Sequence, residues 1–511
     1  MFLQYRNSNL AIGWNGFFEH LTKSKKNYDV SAINFVDFVY NSPSDLDTLF
    51  TAAMKSVSTA KQHNMKTCFI TYDQPLYHKT RDIVGASDFE GMNVIVRLGG
   101  FHMLMPFLGC IEKIMAGSGL KELLCEVYAE GTVKHILTGH AYARAVRAHT
   151  LIQLALAQFV FDKIKTQNSK FLEIFELDEI SDMFFNSTEP ESSNILNSKV
   201  LNDIDYLFEE QMQKIQRRSK TAELWVLYFR MVSILKDFIA AEKSGDWMSH
   251  LRNVELMIPF FHSAGHMSYA KSAQLYLQDM HELERHMDSL EYKTFTEGGY
   301  WTIRRKDTFW SEIFADQTIE QTLMKSLSVE GGPFRRGAAE SVVHKWLSVS
   351  LCTKYVIEAV EKFSGVTFDK SCQHKDSQDA RKNADAKAVT VLRQFIELHN
   401  PFSDDIKGLV CISSGIIADE NVDCNKAFEK GINTLNSIEG LNFGNLQLSK
   451  KHAVITLDKV NKTVTVDDSI ISISTDLIFQ RACLVYTNNS HSNEEFEDLF
   501  SFELATPSST V

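Results

Sequence analysis

Two short runs rich in β-branched and aromatic residues, Lys66–Tyr72 (KTCFITY) and Asn93–Leu98 (NVIVRL), constrain this chain more than any other feature. Each predicts a strand. The stretch near Tyr77–Val84 between them predicts a short helix. The first run delivers Asp73 ahead of Gln74-Pro75. The second ends in Gly99-Gly100-Phe101-His102 and opens into an apolar helix striped by Met103, Leu104, Phe107, Leu108, Ile111 and Ile114. Upstream, the alternating run Ser31–Tyr40 (SAINFVDFVY) predicts a further strand. A helix over about Thr48 to His63 follows it, with Asp45 or Asp47 as its cap. Strand, helix, strand, helix, strand is the order of an α/β core with parallel pairing.

From His102 to about Gln278 the text is helical. A long helix spans about Gly139 to Lys165, further helices cover about 203–244 and 247–263, and another runs from about Tyr269 to His286. Residues 186–200 are polar, contain Pro190 and predict a loop. The expected organisation has five parts. Residues 1–101 form the first part of the α/β core, 102–290 a helical insertion, and 291–365 the second part of the core. Residues 366–400 are a polar connection and a helix that ends at Asn400-Pro401. Residues 401–511 form an α+β region with β alternation over 451–473 and a disordered tail. The fold class is α/β with a large all-α part and a small β-containing C-terminal region.

Only 8 of the 511 residues are proline, which suits long helices better than a many-turned β fold. The formal net charge of -12 weighs against a large non-specific nucleic-acid footprint, which calls for a basic excess. The 8 cysteines include no CxxC pair, which points to a reducing compartment without a zinc module. No signal-peptide core opens the chain, and no apolar run is long enough to span a membrane. The expectation is a nuclear or cytoplasmic protein, neither secreted nor membrane-bound. The sequence does not indicate an oligomeric state.

Several residues carry possible chemistry. Asp73 sits at a strand's C-terminal end, where open α/β sheets place ligand chemistry; the plain alternative is a helix cap. His102 opens a helix behind two glycines, either as a ligand or as a hydrogen-bonded structural histidine. Asp316 and Glu320 lie four apart on one helix face and can share a divalent cation with a carboxylate from a strand; equally, they are helix-start acids complementing the macrodipole. The loop Gly331–Gly337 presents Arg335 and Arg336 in a form suited to a phosphate backbone. Arg144 and Arg147 form either a basic face or ion pairs with the chain's many acids. His262 and His266 are four apart, but Gly265 interrupts them. No P-loop, GxGxxG, GxSxG or HExxH pattern is present.

The phrases IGWNGFFE, FVYNSPSDLDTLFTA, FITYDQPLYHKTRDIV, VIVRLGGFHMLMPFLGCIEKIMAGSGL, LTGHAYARAVRAH, FADQTIEQTLMKSL and LFSFEL together resemble an uncharacterised, transposable-element-linked family of invertebrate genomes. The resemblance runs from about Ile12 to Leu504. The order of elements also resembles the ribonuclease H-like core of hAT and Mutator-type transposases. That second resemblance implies a ribonuclease H-like core interrupted by the helical insertion, with metal-dependent DNA cleavage and transfer as the ancestral activity. Asp73 and Glu320 would be the catalytic metal ligands, Asp316 a further ligand and His102 a support, with Mg²⁺ or Mn²⁺ as cofactor and DNA as partner. Asp37 is the candidate for the remaining carboxylate. Gly99 and Gly100 stand where some related patterns place an acid. The alternative is a non-enzymatic, mostly helical scaffold that binds nucleic acid or protein.

Overall fold

The computed structural model describes most of residues 13–437, apart from internal stretches of which 177–198, 321–340 and 366–377 are the longest, and three strands between 455 and 472. Helices α1 (Trp14–Leu21) and α2 (Leu46–Gln62) precede strand β1 (Thr67–Tyr72), helix α3 (Gln74–Ala86), strand β2 (Asn93–Leu98) and helix α4 (Gly100–Ile114). A helical block follows: α5 (Leu120–Cys125), α6 (Glu130–Leu137), α7 (Tyr142–Gln167), α8 (Ser169–Glu176), α9 (Lys199–Gln216), α10 (Lys220–Ser244), α11 (Trp247–Ser263), α12 (Met267–His281), α13 (Leu283–His286) and α14 (Ser289–Thr296). Then come β3 (Ile303–Arg304), β4 (Glu312–Ile313), α15 (Ala315–Ile319), α16 (Asp379–His399), α17 (Cys424–Ser437), β5 (Ile455–Asp458), β6 (Thr463–Val466) and β7 (Ser469–Ser472). The described chain is mostly helical, with three small sheets.

β1 and β2 pair in parallel, from Thr67 opposite Asn93 to Tyr72 opposite Leu98, as the strand–helix–strand order requires. The helix between them starts where its chemistry says it should. Asp73 accepts from Leu76 N, and Pro75 stands in the first turn. The strand expected over Ser31–Tyr40 is not seen where its residues are described. Ser31, Ala32 and Ile33 are in no strand. Instead Ser31 N donates to the Arg304 carbonyl at 2.9 Å and Arg304 N donates to Ser31 Oγ at 3.0 Å. Residues 34–38, with Asp37, lie outside the described residues. So do 186–198 of the expected loop, Gly331–Gly337 and the chain beyond 472. Over 455–472 the alternating residues form β5, β6 and β7, an antiparallel sheet.

The helical block is the centre of the core. α10 buries Trp225, Tyr228, Met231, Val232, Leu235 and Phe238, so apolar residues surround its axis; such a helix belongs inside. Ser219 starts it by accepting from Ala222 N at 3.1 Å, and Gly245, at φ 68°, ends it. The helices expected over about 203–244 and 247–263 are α9, α10 and α11, the first two divided at the Ser219 cap. One buried apolar cluster runs from Leu21 to Ile412 and includes Leu98, Phe107, Phe238, Phe261 and Leu392. α16 is clamped along α7 by Arg147–Asp385 and Arg393–Asp162 ion pairs. No described helix is long and apolar enough to cross a membrane.

Candidate functional site

At the C-terminal ends of β1 and β2 the chain turns into α3 and α4. Gly99 N closes the corner by donating to the Tyr72 carbonyl at 2.7 Å. The first turn of α4 then presents backbone N–H groups with no partner inside the helix, and Gly99, the capping residue, has no side chain to satisfy them. Asp316, from the start of α15, does so. Its Oδ1 accepts from Phe101 N at 3.1 Å, and its Oδ2 accepts from His102 N at 2.9 Å. The same Oδ2 lies 3.0 Å from His102 Nδ1. Asp316 is thus a buried N-cap supplied from a distant part of the chain, with its negative charge on the positive end of the α4 dipole.

The two glycines explain how Asp316 gets there. A Cβ on Gly99 would stand 2.4 Å from Asp316 Oδ2. A Cβ on Gly100 would stand 2.7 Å from Phe314 Cδ1 and 2.9 Å from Glu242 Oε1. Gly99 has a φ of -64°, ordinary for any residue, so the requirement here is space rather than backbone freedom. Sequence reading treats these positions as a corner lacking an acid. The structure brings one carboxylate against each.

His102 Nε2 faces Glu320 Oε1 at 3.4 Å, so the imidazole stands between two carboxylates. The hydrogen bond to Asp316 raises the His102 pKa; burial opposes this, and the charges of Asp316, Glu320 and Asp73 add to it. Burial pushes the Tyr269 hydroxyl up to about 12, with Asp73 and Asp316 adding to the shift. Asp73, His102, Asp316 and Glu320 therefore share one electrostatic neighbourhood. Because the folded state holds the His102 proton more tightly than the unfolded chain, its contribution to stability is complete below pH 6.5. That contribution is lost as pH rises through the raised folded value. Thermal unfolding followed across this range should show a fall in stability that is smaller in Asp316→Asn; equal slopes in the two proteins would rule out the coupling.

Beneath the corner lies a second polar group that sequence reading missed. Glu242 Oε1 is 3.0 Å from His250 Nδ1, but off the line a hydrogen bond needs. His250 Nε2 and the Tyr276 hydroxyl are 2.9 Å apart. Arg97 Nη1 donates to the Trp301 carbonyl at 2.8 Å, and its guanidinium lies 5.5 Å from the Trp301 and Phe295 ring centroids. Burial raises the Glu242 pKa well above the carboxylate range and lowers that of His250, so both are driven toward their neutral forms. The available signal was Arg97 itself, a cation inside the apolar strand NVIVRL.

Residues 13–503 match a family described as a domain of unknown function, DUF8702. The chain belongs to this family. No curated protein and no solved structure matches it. The matched span of this DUF8702 chain contains both the carboxylate–histidine cluster and the polar group beneath it.

Of the cationic residues expected to meet nucleic acid, Arg147 pairs with Asp385, its Nε donating to Oδ1 at 2.8 Å. Arg144 is exposed on α7, and Arg335 and Arg336 lie outside the described residues. A divalent metal was expected on Asp73, Asp316 and Glu320. Such an ion needs several free oxygens around it. Asp316 has both oxygens committed to N–H groups, Asp73 accepts from Leu76 N, and Glu320 faces the His102 ring. His102 occupies the space between Asp316 and Glu320. Among the described residues no group of three or more His, Cys, Asp or Glu side chains is arranged to hold a metal. In this DUF8702 chain the carboxylates serve the α4 amides, the start of α3 and the His102 ring.

Proposed function

We propose that this chain is a non-enzymatic, mostly helical interaction protein whose Asp73–His102–Asp316–Glu320 cluster is a structural joint between the parallel strands and the segment that ends in α15. One observation carries this reading: the Asp316 carboxylate is spent on two backbone amides and the His102 ring, which leaves little capacity for a reacting group or metal. The joint fastens α4, and through it the helical block, to a segment more than two hundred residues away. A rigid helical body of this kind suits presentation of surfaces to a protein or nucleic-acid partner.

A second reading keeps the ancestral activity, metal-dependent DNA strand cleavage on a ribonuclease H-like core. The observation in its favour is the gathering of Asp73, His102, Asp316 and Glu320 at the C-terminal ends of two parallel strands, where α/β folds put their chemistry. Incubating end-labelled DNA with the protein and Mg²⁺ or Mn²⁺ separates the two. On the first reading, wild type and Asp73→Ala give the same background. Cleavage by the wild type that disappears in Asp73→Ala would replace the first reading with the second.

A further inference from the structure

We infer that the helical segment 341–364 pairs antiparallel with the same segment of a second copy of this chain. Between α15 and α16 the described residues of 341–364 are all helical. In its second half they expose large apolar side chains: Phe363 at 95%, Tyr355 at 71%, Val356 at 58% and Val360 at 49%. Cys352 and Ala359 are exposed as well. At about 100° per residue these six fall on one helix face about 140° wide. Within it Cys352, Val356, Ala359 and Phe363 follow one another at alternating four- and three-residue steps, the spacing of the seam along which two helices pack. A contiguous apolar face in water marks a contact surface. Taking about 150–250 Å² for an exposed aromatic side chain and less for valine, the four large residues present roughly 500 Å². Two such faces bury roughly 1,000 Å² together, the level at which a specific interface begins.

A two-fold axis lets this face cover itself, with no second patch required. Size sets the direction. An antiparallel pairing centred between positions 357 and 358 puts Phe363 against Cys352, Val356 against Ala359 and Tyr355 against Val360, a larger side chain against a smaller one each time. A parallel pairing in register puts Ala359 on Ala359, which leaves a gap, and Phe363 on Phe363, which crowds. Charge points the same way. Lys345 is exposed on the same face, two turns before Cys352. In the parallel pair it meets its own counterpart, a like charge. In the antiparallel pair it lies beyond the end of the other helix, in water. None of Asp73, His102, Asp316 and Glu320 is on this segment, so the pairing and the reading of that cluster can fail separately.

Sedimentation velocity of the full chain tests this. The wild type should be dimeric in the tens of micromolar, and Val356→Glu and Phe363→Ser should each raise the dissociation constant at least about thirtyfold. At a dilution where the wild type is monomeric, both variants should unfold at the wild-type temperature, because both side chains are exposed. For the direction, Phe363→Cys should give a disulfide-linked dimer on mild oxidation, and adding Cys352→Ser should abolish it, since only antiparallel helices bring those two positions together. A wild type that is monomeric at every concentration overturns the proposal, as does a dimer that both substitutions leave intact. A lowered unfolding temperature in monomeric Phe363→Ser also overturns it, because another part of the same chain would then cover the face. A link at position 363 that survives Cys352→Ser would mean parallel helices and overturns the antiparallel arrangement.

Discussion

Gly99→Ala should destabilise the protein by about 3 kcal/mol, from overpacking and loss of a cap together. The backbone at Gly99 accepts any residue, so no strain enters through φ. The whole cost comes from a methyl group placed 2.4 Å from Asp316 Oδ2 and 2.8 Å from its Cγ. Asp316 has to retreat, which unmakes its bonds to Phe101 N, His102 N and the His102 ring. Asp316→Ala alone should cost about 2 kcal/mol, because it leaves buried amides without a partner. The two losses should not add. With the carboxylate gone there is space for the methyl, so Gly99→Ala/Asp316→Ala should be about as stable as Asp316→Ala alone. Urea unfolding of the four proteins measures this. Additive losses would mean that the glycine serves some purpose other than admitting Asp316.

Phe107→Ala should cost about 3–5 kcal/mol, the range for removing a large buried aromatic side chain. Phe107 is fully buried in the middle of α4. It meets Phe260 and Phe261 of α11 edge-on, with ring centroids 5.8 and 6.1 Å away. This contact seats the helix whose first turn carries His102 on the helical block. Phe107→Leu keeps most of the volume and should lose only about 1 kcal/mol. The pair can be read from denaturant midpoints. A loss of less than about 1 kcal/mol in Phe107→Ala would show that α4 is not packed on α11 as described.

The local elements were legible because their causes are local. The β-branched runs gave β1 and β2 and the 3.6-residue stripe gave α4, while the helix expected near Tyr77–Val84 is the longer α3, capped by Asp73 as the plain alternative had it. The Asp316–Glu320 spacing was also visible, and both residues lie beside His102. What was not legible was the use of each group. The lone pairs of Asp316 are taken by amides far away in sequence, and no local pattern reports that. The glycines misled for the same reason. An absent side chain says only that something approaches, and here the approaching groups are Asp316 and Glu242, from two distant helices. The strand expected at Ser31 failed where it is described because Ser31 bonds Arg304, far along the chain. Arg97 was legible in kind, as a cation misplaced in an apolar strand, but its partners at Trp301 and Phe295 were not.

The distance between α4 and its cap has a consequence for the order in which the molecule is made. His102 and Asp316 are 214 residues apart. At typical synthesis rates Asp316 leaves the ribosome about 10–40 s after His102. During that interval β1, β2 and most of the helical block are available to fold, but the first turn of α4 has nothing to receive its amides. Closing the corner is therefore a late event in biogenesis, and a chain interrupted before residue 316 carries an open helix end where the strands meet the helical block.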